Sequence, residues 1–217
     1  MEIINTILLI VILSCFEITL SLDNAVALSS ITEGLDSKDR KIALDIGMIL
    51  SYIFRIGLLF FATWIIHYWQ LKLVAAAYLF YLVFNYFLNL ASDEKTNPKN
   101  SLLSAITAVV LTDLAFSLDS ISAAVAISDR FIVIIIGCGI GVFALRFLAD
   151  LFQAWMEKFV YLELSGYLAI SLVALKLIAE IISPTLIISE ILEVAIVLSI
   201  FGFGFSKQYK SESAVNS

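Results

Sequence analysis

Four carboxylates stand inside long apolar runs of this chain: Glu17, Asp23, Asp113 and Asp119. They belong to two similar strings, FEITLSLDNAVALSS over Phe16–Ser30 and TDLAFSLDSISAAVAIS over Thr112–Ser128. Glu17 aligns with Asp113, Ser21 with Ser117, Leu22 with Leu118, Asp23 with Asp119 and Asn24 with Ser120, all at an offset of 96. Carboxylates joined by amide and hydroxyl oxygens make a hard oxygen site. Such a site suits manganese, calcium or magnesium. No cluster of His or Cys is present to favour zinc or copper. The candidate metal ligands are therefore Glu17, Asp23, Asn24, Asp113, Asp119 and Ser120.

A charge deep in a bilayer costs about 2.5–3.5 kcal/mol on insertion scales, so these acids need compensation. Arg55, Arg146 and Lys176 are the basic residues inside the apolar runs. Four carboxylates and two arginines sum to −2, which one divalent cation neutralises. Glu180 lies one turn from Lys176, and Asp150 one turn from Arg146. Either pair could form locally, so whether the arginines face the acids stays open. Carboxylates crowded at low dielectric hold protons between them when no cation is bound. Cation entry with proton release, a cation/proton exchange, is the expected chemistry.

Within each string the second acid follows the first by six residues. That is about 600° of helical rotation, roughly 120° from alignment. A straight helix does not aim both at one point, so a bend or unwinding is expected near Leu20–Asn24 and near Phe116–Ser120. Ser, Asp and Asn compete for backbone hydrogen bonds and favour such a break. Broken helices at a transport site also free carbonyls as ligands.

The elements that position these residues follow from composition. Of the 217 residues, 61% are hydrophobic and 15% charged, against about 45–50% and 25% in soluble domains. The net charge of −6 leaves no basic footprint for nucleic acid. An all-α polytopic membrane protein is the expected class. A hydrocarbon core of about 30 Å takes about 20 apolar residues per helix. Seven spans result: Ile3–Ser30, Ile42–Ile66, Leu71–Ala91, Leu102–Ile127, Phe131–Met156, Val160–Ile182 and Thr185–Phe205. The first lacks the positive start of a signal peptide and reads as a retained helix. They form one transmembrane domain over residues 1–205, with a polar and mobile tail at 206–217. Cys15 and Cys138 read as small buried hydrophobes. Gly137, Gly139 and Gly141 read as positions of close helix packing.

Seven spans put the termini on opposite sides. Lys38, Arg40, Lys41, Lys95, Lys99, Lys158, Lys207 and Lys210 fall on one side, and Lys72 and Arg130 on the other. The excess of positive charge places the C-terminus in the cytoplasm and the N-terminus outside. Trp64, Tyr68 and Trp69 read as an outer aromatic belt, with His67 an interfacial residue inside it; Trp155 and Tyr161 mark the inner side.

The repeat extends beyond the acidic strings. FRIGLLFFA aligns with LRFLADLFQA, placing Arg146 against Arg55 at an offset of 91. AYLFYLVF aligns with GYLAISLV, placing Tyr167 against Tyr78. Repeat one covers about 3–91 and repeat two about 102–182, and the helix at about 185–205 is an addition. Three helices per unit make the second copy run upside down, the inverted build of many secondary transporters.

The paired motifs, acidic-x3-SLDN and acidic-x3-SLDS, resemble those of the TerC family of integral membrane proteins. The resemblance covers about residues 1–205, with the seven spans and the intramembrane arginines. It implies divalent metal export, chiefly of manganese, within the wider LysE-type superfamily, and it implies that the motif acids are the metal ligands. Calcium/proton exchange, or a non-transporting assembly or structural factor, are the alternatives. The expected partners are a divalent metal ion as cargo and the lipid bilayer, with no catalytic cofactor and no nucleic acid. The cell membrane is the expected location, with a thylakoid membrane as the alternative. An enzyme is not expected. GCGIG at Gly137–Gly141 lacks the following Asp of a GxGD protease, and Thr185–Phe205 lacks the lysine of a retinal protein.

Overall fold

The computed structural model describes residues 2–20, 22–32, 34–61, 68–91, 101–128, 130–183 and 190–209. Within those ranges the side chains of Asp23 and Asp119, among a few others, lie outside the description. Trp64 and His67 also fall outside it. The described chain is all-α. Its helices are α1 (Glu2–Leu20), α2 (Leu22–Thr32), α3 (Ser37–Phe60), α4 (Trp69–Ala91), α5 (Leu102–Ile127), α6 (Phe131–Met156), α7 (Leu162–Ile182) and α8 (Glu190–Gly204).

These segments carry few polar side chains, and a helix satisfies its own backbone, as a bilayer requires. Ser37–Phe60, Trp69–Leu90, Phe131–Met156 and Leu162–Ile182 are each long and apolar enough to cross a membrane. Ile4–Cys15, Leu102–Leu118 and Leu192–Gly204 are shorter apolar stretches. Each of these seven lies on one of the seven expected spans. The outer surface is apolar, as a bilayer requires, and a polar group is held within the mostly apolar interior. Phe54, Phe84, Phe143, Phe147 and Ile132 are exposed, whereas Glu17, Ser51, Arg55, Asp113 and Ser117 are buried.

A bend or an unwinding is expected near Phe116–Ser120; the unwinding does not occur, because α5 is helical from Leu102 to Ile127 without interruption. The hydroxyls explain the correction. Ser117 Oγ donates back to the Asp113 carbonyl at 2.6 Å, and Ser120 Oγ to the Ser117 carbonyl at 3.4 Å. Both spend their donors on the ladder instead of competing with it. The break expected near Leu20–Asn24 falls on Ser21, outside the described residues; α1 ends at Leu20 and α2 begins at Leu22.

Packing exchanges partners between the two halves. α3 lies along α5, α1 along α6, and α4 along α7. Small residues permit close approaches between the halves. A Cβ on Gly47 of α3 would meet Val109 Cγ1 of α5 at 2.5 Å, and one on Gly137 of α6 would meet Leu13 Cδ2 of α1 at 2.6 Å. Gly139 sits against Tyr52 and Gly141 against Glu17, so all three α6 glycines mark close packing.

The start of the C-terminal segment is not a free tail. Val160 N donates to Lys207 O at 3.0 Å and Tyr209 N to Lys158 O at 2.9 Å. Trp155, Phe159 and Phe205 pack edge-on above this strap, and Tyr161 stacks on Phe203. Residues 210–217 lie outside the described part.

Candidate functional site

α1, α3 and α5 each bring one ionisable side chain to the same buried point. Arg55 of α3 stands between Glu17 of α1 and Asp113 of α5. Its Nη1 donates to Glu17 Oε2 at 2.9 Å. Its Nη2 straddles the two oxygens of Asp113, at 3.3 and 3.4 Å. All three side chains are at most 2% exposed. Each residue also lies near the middle of its expected span, so all three share one depth.

The neighbours complete the trio. Cys138 Sγ of α6 donates to Glu17 Oε1 at 3.3 Å, so both Glu17 oxygens are engaged. Gly141 of α6 lets Glu17 come this close; a Cβ there would sit 2.6 Å from Glu17 Cβ. Ser117, one turn along α5, reaches Asp113 Oδ2 at 3.5 Å. Tyr52, one turn before Arg55 on α3, donates its hydroxyl to the Ile135 carbonyl at 3.0 Å, fixing α3 on α6. Tyr78 of α4 reaches the Ala108 carbonyl and Thr112 at 3.2 Å each, fixing α4 beside Asp113.

The guanidinium is not fully satisfied. Arg55 Nε and Ser51 Oγ are buried and have no hydrogen-bond partner among the described residues. An orphaned buried polar group costs about 1–3 kcal/mol. Arg55 therefore grips each acid with one nitrogen, not with the two-nitrogen fork that gives arginine–carboxylate pairs their strength.

The expected ligands divide as follows. Glu17 and Asp113 are brought together through Arg55. Asn24 is buried in α2 and Ser120 in α5. The side chains of Asp23 and Asp119 lie outside the described residues. Among those described, no three His, Cys, Asp or Glu side chains gather into a group that could hold a metal ion.

Of the other two charge partners, Arg146 takes the local pairing that the sequence left open, and the pairing of Lys176 is corrected. Arg146, the repeat equivalent of Arg55, does not face the acids. It binds Asp45 Oδ1 at 2.5 Å and Asp150 Oδ2 at 2.6 Å, both half-exposed. The i,i+4 acid and an acid on α3 of the other half hold it away. Lys176 likewise compensates another charge. It pairs with Glu193 of α8 at 2.7 Å, while Glu180 pairs with Lys72 of α4 at 2.6 Å. Interhelical geometry overrides the one-turn spacing in both.

Sequence reasoning missed two neighbours of the site. Cys138, expected to be an inert filler, touches Glu17. Its signal was its place one turn from Gly141 in the first half of α6. Ser51, one turn before Arg55, had no signal beyond its polarity in an apolar run. Cys15 is exposed, not buried as expected; it faces outward from α1, where an apolar surround is membrane and not core.

Comparison with known proteins agrees with this architecture. The profile of the integral membrane protein TerC family matches residues 4–213. The chain is 34% identical over 168 residues to the uncharacterized membrane protein YceF of Bacillus subtilis, covering 73% of this chain and 65% of that one. It is 28% identical over 179 residues to YkoY of the same organism, 73% of this chain and 55% of that one. It is 26% identical over 160 residues to the UPF0053 inner membrane protein YgdQ of Escherichia coli K12, 64% of this chain and 68% of that one. The chain thus spans little more than half to two thirds of the length of YceF and YkoY. No solved structure matches it significantly.

Proposed function

The chain belongs to the TerC family of integral membrane proteins, and from that premise we propose that it is a secondary transporter exporting a divalent metal cation, manganese before calcium, in exchange for protons. The metal is cargo; no catalytic cofactor is involved, and the protein is a carrier and not an enzyme. The observation that carries this reading is the convergence of Glu17 and Asp113. They occupy equivalent positions of the two acidic strings, yet they meet at one buried cation.

An inverted repeat is supported by the packing. In a pair of halves related by a two-fold axis, the second helix of each lies on the first helix of the other. α3 on α5 and α1 on α6 follow that rule. Two close approaches follow it too: Gly47 against Val109 and Gly137 against Leu13 each pair a second-helix glycine with a first-helix side chain of the other half, within one residue of the repeat offsets of 91 and 96. Transport sites lie at such repeat interfaces.

Charge balance supports a role for protons. With Arg146 engaged elsewhere, four motif carboxylates and Arg55 sum to −3. A divalent cation brings this to −1, and one retained proton closes it. The proposed setting is the cell membrane, with the N-terminus outside and residues 158–160 and 207–209 together on the cytoplasmic side.

The closed Glu17–Arg55–Asp113 trio also favours a second reading, a non-transporting structural or assembly factor. Flux separates the two. Manganese and calcium movement is measured in sealed vesicles for wild type, Asp23→Asn and Asp119→Asn, with and without a pH gradient. Transport predicts flux that both variants abolish and that collapses with the gradient. Variants that fold and transport as well as wild type would remove the metal site.

A further inference from the structure

We propose that Arg55 is a tethered stand-in for the cargo: its guanidinium holds Glu17 and Asp113 together in the empty protein, and an entering divalent cation must displace it. This rests on the transporter reading above. A guanidinium and a metal ion compete for the same carboxylate lone pairs. A hard divalent cation of this class binds oxygen at about 2.0–2.6 Å, closer than the 2.9 and 3.3 Å that Arg55 achieves. Both cannot occupy the space between the two acids.

Three features fit a cation built to leave. The first is its grip, which is one short contact to Glu17, two longer ones from a single nitrogen to Asp113 and an Nε without a partner among the described residues. The second is that its partners are the motif acids themselves, whereas Arg146 binds Asp45 and Asp150, which lie outside the motifs. At the offset of 91, the matching positions around Arg55 are Ile136 and Leu59. Arg55 has no such resting pair, and Glu17 and Asp113 are its carboxylate partners here. The third is its role in the fold. It joins the first helices of both halves through the second helix of one, so its release loosens α1 and α5 from each other. Metal entry and helix movement are thereby one event. The empty carrier also returns with one of the charges on Glu17 and Asp113 offset by a residue it never loses, the rest being left to protons.

The competition is read in detergent-purified protein with Mn2+ as the probe. Bound Mn2+ is counted by electron paramagnetic resonance for wild type, Arg55→Gln and Arg55→Lys. Two sites that bind competing cations are coupled, and such couplings run about 5–150-fold. Arg55→Gln should therefore bind Mn2+ at least about fivefold more tightly, and Arg55→Lys, which keeps the charge, should stay near wild type. A second measurement uses the wild type alone. Arg55 is labelled with phenylglyoxal and quantified by mass spectrometry, with the exposed Arg130 as internal reference. Its labelling should rise at least about fivefold when Mn2+ is added, with Arg130 unchanged. If Arg55→Gln fails to fold, this second measurement decides. Mn2+ binding by the wild type with Arg55 still protected, or an unchanged or weaker affinity in a folded Arg55→Gln, would overturn the displacement and leave the transporter reading intact. No Mn2+ binding by the wild type would overturn both.

Discussion

Gly141→Ala is a small change with a calculable effect on the candidate site. A Cβ at this position lies 2.6 Å from Glu17 Cβ and 3.4 Å from its Cγ. Carbon atoms rest about 3.5–4.0 Å apart, so α1 must retreat from α6 by about 1 Å. The obstacle is the root of the Glu17 side chain, which no rotamer change can move. The same retreat disturbs the seat of Glu17, whose contact with Arg55 is 2.9 Å. Overpacking of this kind costs about 1–3 kcal/mol, and the gain from replacing a helical glycine returns about 1 kcal/mol. A net loss of up to about 2 kcal/mol follows, or a Tm lower by up to about 8 °C for a chain of this size. Gly57→Ala is the control. Nothing lies within 4 Å of a Cβ there, so only the helix gain of about 0.5–1 kcal/mol remains. Thermal unfolding of both variants in one detergent should show opposite signs. A Gly141→Ala protein as stable as Gly57→Ala would refute the close approach of α1 to α6 at Glu17.

Other predictions test the remaining charges. Glu17→Gln or Asp113→Asn leaves Arg55 balanced by the one remaining acid, so each should cost no more than a charged hydrogen bond, about 1.5–3 kcal/mol, measured by denaturant titration in detergent. Arg146→Ala removes contacts to half-exposed acids, so it should cost about 1 kcal/mol or less and leave Mn2+ flux in vesicles near wild type, unlike any change at Glu17 or Asp113. Glu193→Gln should free α8 from Lys176 and sharpen proteolysis after α7, again without loss of Mn2+ binding. Tyr209→Pro deletes the donor to Lys158 and should cost about 1 kcal/mol, seen as faster backbone exchange at residues 158–160.

Much of the architecture is legible in the chain because a bilayer imposes simple rules. Apolar runs separated by short polar breaks mark each helix, and the two acidic strings mark Glu17 and Asp113 as counterparts before any contact is known. The Arg146–Asp150 pair is also readable, since i,i+4 neighbours meet on any helix. The same rule misleads at Lys176. Glu180 is equally well spaced, but Lys72 on α4 claims it, and Glu193 on α8 lies within reach instead. Which arginine faces the acids is not readable either. Arg55 and Arg146 occupy equivalent places, and the difference lies in Asp45 and Asp150, acids on one side of the repeat without counterparts on the other. The continuity of α5 escapes for a subtler reason. Serine hydroxyls can either break a helical ladder or bond back onto it, and the choice at Ser117 is made by the surrounding packing. Cys138 shows the limit of residue type alone, since only its approach to Glu17 distinguishes it from a filler.

The central claim is that acids from both halves of the chain serve one cation. Equilibrium binding of Mn2+ to the purified protein, counted per chain, tests it most directly. The account predicts one tightly bound Mn2+ per chain, lost in Asp23→Asn and lost equally in Asp119→Asn. Two Mn2+ per chain, with each substitution removing only one, would mean two separate half-sites and would contradict it.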